Sequence, residues 1–381
     1  MASTGERLAA ALAGRDLPPP GWGPARLVVA AVALLLHLTA LAALAGGAWL
    51  VARDFPSFTI LPGVVLLAFG VLLLPRPESL PRYSTRLDRT RAPHLFAFVA
   101  AVAGAAGVPV PHLIVVDDTF DADGGTTGLR RRRYLRLGLP LLAVLDAGQC
   151  TALVAHQLAH TTTGNPLRTG LTGSADRSLT ALMALFEPGP DTALRALQDP
   201  AIVKAGMGTP PRAANGNVAD VWYAELLIRP VLAALRGLAA AGRRLLLTLA
   251  APDVHRAEYR ADAVAAGVAG TAATLELLDV LALRETVLTV LRRHIRAAAD
   301  DRPDPPAWRT LAADARRHSA AALPALRAAS PFADHPPLEY RTRLLRSRPA
   351  VAPMPEPPDP AGVDADLAEQ YRRMVRDLRF G

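Results

Sequence analysis

The chain has 381 residues, 51% of them hydrophobic but only 5% aromatic and 20% charged, which leaves room for two or three folding units and excludes wholesale disorder. One cysteine, Cys150, rules out a disulfide framework and any thiolate cluster, so a metal here must use His and carboxylate, and the compartment reads as reducing. The net charge is +8 and nearly all the positive charge is arginine, since Lys204 is the only lysine; there is no Gly-Lys-Ser/Thr phosphate loop, and no zinc-finger, RNA-binding aromatic or basic-zipper pattern points to nucleic acid, so anionic membrane lipid is the expected partner.

Residues 1–26 form an N-terminal segment with Pro18-Pro19-Pro20 before a long apolar run. Leu27 to Ala52 is 26 residues without a formal charge, enough to cross about 30 Å of hydrocarbon as a helix. After the turn Arg53-Asp54-Phe55-Pro56-Ser57, Phe58 to Leu74 adds 17 uncharged residues. The pair predicts a transmembrane helical hairpin over 27–75. The alternative, a buried core hairpin, fits less well because a soluble helix of this length normally keeps a charged face. A cleaved signal peptide is a poor fit to so long a run. Arg7, Arg15 and Arg26 precede the first span and Arg76, Arg82, Arg86, Arg89 and Arg91 follow the second, against Arg53 alone in the turn. That asymmetry predicts a multi-pass cell-membrane protein with both termini and the soluble domain in the cytoplasm.

From Ala92 the pattern predicts a mixed domain: a helix through Ala106, a strand over His112–Val116, a loop over Asp117–Gly128 and a second strand over Leu129–Leu137. Arg130 to Arg133 on that strand read either as lipid-headgroup contacts or as a solvated strand edge. Pro140 to Thr161 reads as one helix, and 164–220 as a long insertion. Val221 to Ala250 reads as an apolar helix broken at Pro230, interfacial or groove-lining rather than a third span because Glu225, Arg229, Arg236, Arg243 and Arg244 interrupt it. Another helical stretch, Arg256 to Ala299, precedes a Pro-rich link at 303–306 and a helix through Ala329. The tail over 349–381 is a stiff proline linker followed by an amphipathic segment, Val363 to Leu378, suited to the domain or the membrane surface.

His156 and His160 stand four apart on an apolar helix, so both imidazoles project from one face and can share a tetrahedral metal. The same spacing also suits histidines satisfied in a core or on a surface. Glu258 opens another helical motif in which it can supply a third, carboxylate ligand, with Asp262 one turn on to orient a ligand histidine. The ordinary alternative is a solvated Glu and Asp, but Ala257, Ala261, Ala263 and Ala265 make the neighbourhood small and apolar.

With these residues in view, the chain resembles the membrane-anchored zinc metallopeptidases that include the HtpX heat-shock protease and the CAAX prenyl protease. The resemblance rests on four blocks: Ala92-Pro93-His94-Leu95 to Gly107-Val108-Pro109-Val110-Pro111, His156-x-x-x-His160, Glu258-x-x-Ala261-Asp262, and Asp334-His335-Pro336-Pro337-Leu338-Glu339-Tyr340-Arg341. It covers about residues 90–345 and implies a mainly α, α+β architecture: a zincin-like metallopeptidase domain with a small sheet, behind the transmembrane hairpin. It further implies Zn2+ on His156, His160 and Glu258, with Asp262 behind them, His335 and Arg341 near substrate or the developing oxyanion, and peptide or unfolded membrane protein as substrate or client.

Two positions depart from the family pattern. Gln157 stands where the family has the Glu that acts as general base, and Asp121-Ala122 is the nearest match to an Asn-Ala pair on the substrate-binding edge. A carboxamide can hold a water but cannot accept its proton, so zinc is expected to remain while hydrolysis is impaired or lost. Three readings follow: an impaired metalloendopeptidase, an active one using another base, for which Asp121 is the one speculative candidate, or a non-enzymatic pseudoprotease that binds peptides or partners. Cys150 reads as a small buried hydrophobe rather than a nucleophile, no Gly-x-Ser-x-Gly elbow is present, and His37, His94, His112, His255, His294 and His318 read as structural.

Overall fold

The computed structural model describes residues 4–15, 17, 21, 23–53, 60–76, 80, 84–128, 130–167, 170–186, 218–298, 300–328, 335–353 and 359–380. Expectations for Pro18 to Pro20, the turn at 54–57, Phe58, Arg82, Leu129, residues 187–217, Asp334 and the linker at 354–358 lie outside the described residues. The described chain is mostly helical with one small mixed sheet. It divides into two compact units, one of Met1–Val29, Pro77–Gly173 and Leu249–Gly381, the other of Ala30–Arg76 and Ser174–Thr248.

After the short helix α1 (Thr4–Leu12), α2 (Pro24–Arg53) is the one described helix long and apolar enough to cross a membrane. The next helix, α3 (Ile60–Leu73), has 14 residues. At 1.5 Å per residue it extends only about 21 Å, short of the hydrocarbon thickness. The two helices meet closely: a Cβ on Gly47 would lie 2.8 Å from the carbonyl oxygen of Gly63. The second unit buries Leu73, Leu179, Leu182 and Leu246, but along α2 large apolar side chains are exposed. Helix α2 buries Ala33, His37 and Ala40 and leaves Leu34, Leu35, Leu38, Leu41 and Trp49 exposed. His37 Nε2 lies 2.9 Å from Ser174 Oγ, at the point where α7 (Gly170–Leu185) enters the unit.

The other unit holds the sheet. Strands β1 (Thr85–Leu87), β2 (Leu113–Asp117), β3 (Ala122–Thr127) and β4 (Arg132–Gly138) lie in the order β1-β2-β4-β3, with β2 and β4 parallel and the other pairs antiparallel. Strand β3 falls where a loop is expected, because Ala-Asp-Gly-Gly-Thr-Thr carries turn residues. Its glycine is required by packing: a Cβ on Gly124 would lie 2.6 Å from the Gln157 carbonyl oxygen. Strand β4 is paired on both sides, so the arginines do not protect a sheet edge; Arg130 and Arg131 fall in the preceding turn, and Arg132 opens the strand exposed.

The segment expected as one helix from Pro140 is two, α5 (Leu139–Val144) and α6 (Ala147–Ala159). Leu145 ends the first and Asp146 caps the second: its carboxylate accepts from Gln149 N at 2.8 Å while the Gln149 side chain accepts from Asp146 N at 3.2 Å. This reciprocal box satisfies two donors that a bare helix start leaves open. Asp146→Ala should therefore cost about 1 kcal/mol, seen as a lower thermal midpoint.

Downstream, α8 (Val218–Ala269) runs unbroken for 52 residues. Pro230 does not end it: a proline removes one backbone hydrogen bond, and the Ala- and Leu-rich flanks continue the helix on both sides. The expected helix from Arg256 is instead divided. Gly270, at φ +86°, separates α8 from α9 (Thr271–Ala282), and α10 (Arg284–Ala297) follows. Then come α11 (Pro305–His318), α12 (Leu323–Ala328), α13 (Leu338–Arg346), α14 (Pro360–Asp366) and α15 (Ala368–Phe380). The amphipathic tail lies on the domain, since Val363, Leu367, Tyr371, Met374 and Val375 join the main core with the helices α4 (Pro93–Ala105), α5 and α6.

Candidate metal centre

Helix α6 delivers His156 in its last turn and His160 as its C-terminal cap, one turn apart, on an element whose residues 151–159 are all buried. Helix α8 brings Glu258 and Asp262, again one turn apart, with Ala257, Ala261 and Ala265 letting it approach closely. The two helical pairs face each other. His156 Nε2 and His160 Nε2 are 3.2 Å apart, His156 Nε2 is 3.5 Å from Glu258 Oε2, and His160 Nε2 is 3.3 Å from Glu258 Oε1. A tetrahedral ion with bonds of about 2.0–2.1 Å has edges of about 3.3 Å. His156, His160 and Glu258 are all buried and form a group that can hold a metal ion.

The chemistry around them fits that use. Glu258 is fully buried, yet neither oxygen makes a hydrogen bond of acceptable geometry, although three ring nitrogens lie 3.0–3.5 Å away. Such a carboxylate is expensive without a cation. Burial presses its pKa upward, but His335, His160 and His156 outweigh that and hold it well below the usual carboxylate range. His156 Nδ1 lies 2.9 Å from Asp262 Oδ1, so Nδ1–H donates to the carboxylate and Nε2 keeps its lone pair for the ion.

Asp262 is in turn fixed by Arg341, whose Nε and Nη2 donate to Oδ2 and Oδ1 at 2.8 and 2.6 Å. Burial alone raises the Asp262 carboxyl, and the guanidinium with the His156 contact brings it below its ordinary value. Arg341 is itself buried, and its closest approach to the cluster is Nη1 at 3.9 Å from Glu258 Oε2. The guanidinium thus fixes Asp262, and Arg341 also lines the cavity beside the ligands. Asp262→Asn is expected to weaken metal binding about 10- to 100-fold, measured by competition with a chromophoric chelator, with no such loss for a surface Asp.

A cavity of about 40 Å³ adjoins the cluster, lined in part by Asp121, Ala122, Gln157, His335 and Leu281. That volume accommodates an ion and ordered water. His335 Nδ1 stands 3.0 Å from Glu258 Oε1, beside the expected ligand carboxylate. Gln157 is buried with Oε1 lacking a hydrogen-bond partner. Asp121 lines the same cavity but pairs with Arg136, Nη2 to Oδ2 at 3.2 Å. All the sequence-derived site residues therefore meet in one place.

Sequence reasoning missed one contributor, Arg136. Arg136 holds Asp117 at 3.0 Å as well as Asp121; nothing local in its sequence signals this. His255, read as structural, lies one turn before Glu258, and its imidazole is pushed down by burial, opposed by Glu258 and reinforced by His335. Cys150 behaves as expected: burial pushes its thiol up to about 12, which removes thiolate character. Comparison of the chain with known protein families, with curated proteins and with solved structures finds no match.

Proposed function

We propose that the chain is a membrane-anchored, zincin-like zinc metallopeptidase relative of the family of the HtpX heat-shock protease and the CAAX prenyl protease, with peptide hydrolysis impaired or lost through Gln157. The observation that carries this reading is the convergence of two imidazole nitrogens and a fully buried carboxylate at tetrahedral edge distances. Two nitrogens and one oxygen, without thiolate, suit zinc with one position left open. When bound, zinc supplies Lewis acidity, polarising a carbonyl oxygen and lowering the pKa of water toward about 7.

The residues of the chain divide the remaining work. His156 is held in the ligating tautomer by Asp262 and Arg341. His335, at the cavity wall, can donate a hydrogen bond to an oxygen that gains negative charge. Gln157 can orient a water through its carboxamide but has no basic oxygen to take the proton and pass it to a leaving amine. Asp121 is already engaged by Arg136 and is not arranged to replace it.

The membrane part of the proposal rests on α2, which buries Ala33, His37 and Ala40 and leaves Leu34, Leu35, Leu38, Leu41 and Trp49 exposed. Lipid is the solvent that suits that arrangement. We read α2 and α3 as the anchor, with the arginine-rich flanks in the cytoplasm. A second reading, a non-enzymatic holder of peptides or partners, is favoured by Gln157 together with β3. This terminal strand of the sheet lies against α6, where an extended peptide can add by backbone pairing.

Metal content tests the shared premise. The purified wild-type chain should bind one zinc, and His156→Ala should lose it; a stoichiometry untouched by that change would remove the metal. Peptide bound without turnover would select the holder.

A further inference from the structure

Helix α1 lies ahead of the apolar run and belongs to none of the blocks discussed above, yet it is packed rather than solvated. Ala9 and Leu12 are buried in a cluster of their own with Tyr259 of α8 and Leu344 of α13, and Leu8, Leu17 and Tyr340 pack around it. Both partners touch the metal centre through the chain. Tyr259 follows Glu258 directly, and Leu344 is one turn beyond Arg341 on the helix that His335 and Pro337 lead into. The end of α1 is pinned as well, since Arg348 Nη2 donates to the Arg15 carbonyl at 2.6 Å.

We infer that α1, through Leu12, is a positioning element for the metal centre: it clamps α13 and Tyr259 so that Arg341 stays locked on Asp262 and Asp262 keeps His156 in its ligating tautomer. The opposite face of α13 is already held, because Leu338 and Leu345 pack with Leu278 of α9 and Ala266 of α8. Alpha-helical α13 is therefore gripped from two sides, and α1 supplies the side not belonging to the main fold. The nine-residue α1 is too short to be helical by itself in water, so its order depends on this contact. The coupling is reciprocal: whatever draws α1 off the domain loosens the metal, and metal binding tightens α1.

The inference rests on the proposed metal site, so the experiment reads both separately. Full-length protein is compared as wild type, Leu12→Asp, Leu12→Met and Val363→Ala, the last a core change outside the cluster. Two quantities are measured: zinc dissociation constant by chelator competition, and amide hydrogen exchange over residues 338–346 without metal. Leu12→Asp should weaken zinc about tenfold, the lower end expected for loss of a ligand-supporting contact, and speed exchange in α13. Leu12→Met should restore both, and Val363→Ala should leave zinc affinity unchanged even if it lowers the melting temperature. Equal zinc affinity and equal α13 exchange in Leu12→Asp and wild type would overturn the clamp while leaving the metal site standing. No zinc on wild type, with exchange still faster in Leu12→Asp, would overturn the metal reading and keep α1 as a clamp on α13 alone. If Val363→Ala weakens zinc as much as Leu12→Asp, the effect is general destabilisation and the positioning role is wrong.

Discussion

Gln157→Glu is expected to raise hydrolysis of casein about 10²- to 10⁴-fold over the wild-type chain, the range that one positioned acid–base group contributes. The substitution is nearly isosteric and adds the one missing function. Position 157 is buried beside His156, and its side chain lines the same cavity as Glu258 and His335. Gln157 Oε1 has no hydrogen-bond partner to give up among the described residues. Wild-type turnover equal to that of Gln157→Glu would mean that another residue already moves the proton, and the impaired-enzyme reading would be abandoned for the active one.

Arg341→Ala should give the largest loss of stability, about 3–5 kcal/mol, because removing one partner of a buried pair leaves the other uncompensated. Asp262 is 2% exposed and receives two charge-assisted hydrogen bonds from that guanidinium. With Arg341 gone, only the His156 contact remains against the burial of the charge. Combining Arg341→Ala with Asp262→Asn should recover part of the loss, since the uncompensated charge goes too. A urea midpoint for Arg341→Ala within error of wild type would show that the pair carries little of the fold.

How far the sequence reveals this site depends on the length scale. Within a helix, period is enough: His156 with His160 and Glu258 with Asp262 each fall on one face, and the alanines around Glu258 mark a close approach. Which helices meet is a tertiary fact. Arg341 reaches Asp262 across 79 residues, and that pairing follows only from coordinates. Strand β3 is obscured for a related reason. Gly124 and Gly125 carry turn propensity, and at Gly124 the strand needs a residue without a Cβ, which alone fits against the Gln157 carbonyl. The single helix expected from Pro140 conceals the Asp146-x-x-Gln149 box that restarts it, although that signature is local and was available. Proline misleads in the other direction at Pro230, where α8 continues. Hydropathy gives α2 in full, and the described part of the second apolar run is helical over 14 residues.

The centre itself is best tested by X-ray absorption at the zinc edge on wild-type protein loaded with one equivalent of zinc. The account predicts a shell of nitrogen and oxygen at about 2.0–2.2 Å with the scattering of two imidazoles, one imidazole being lost in His160→Ala. A shell without imidazole, or one unchanged by His160→Ala, would contradict it.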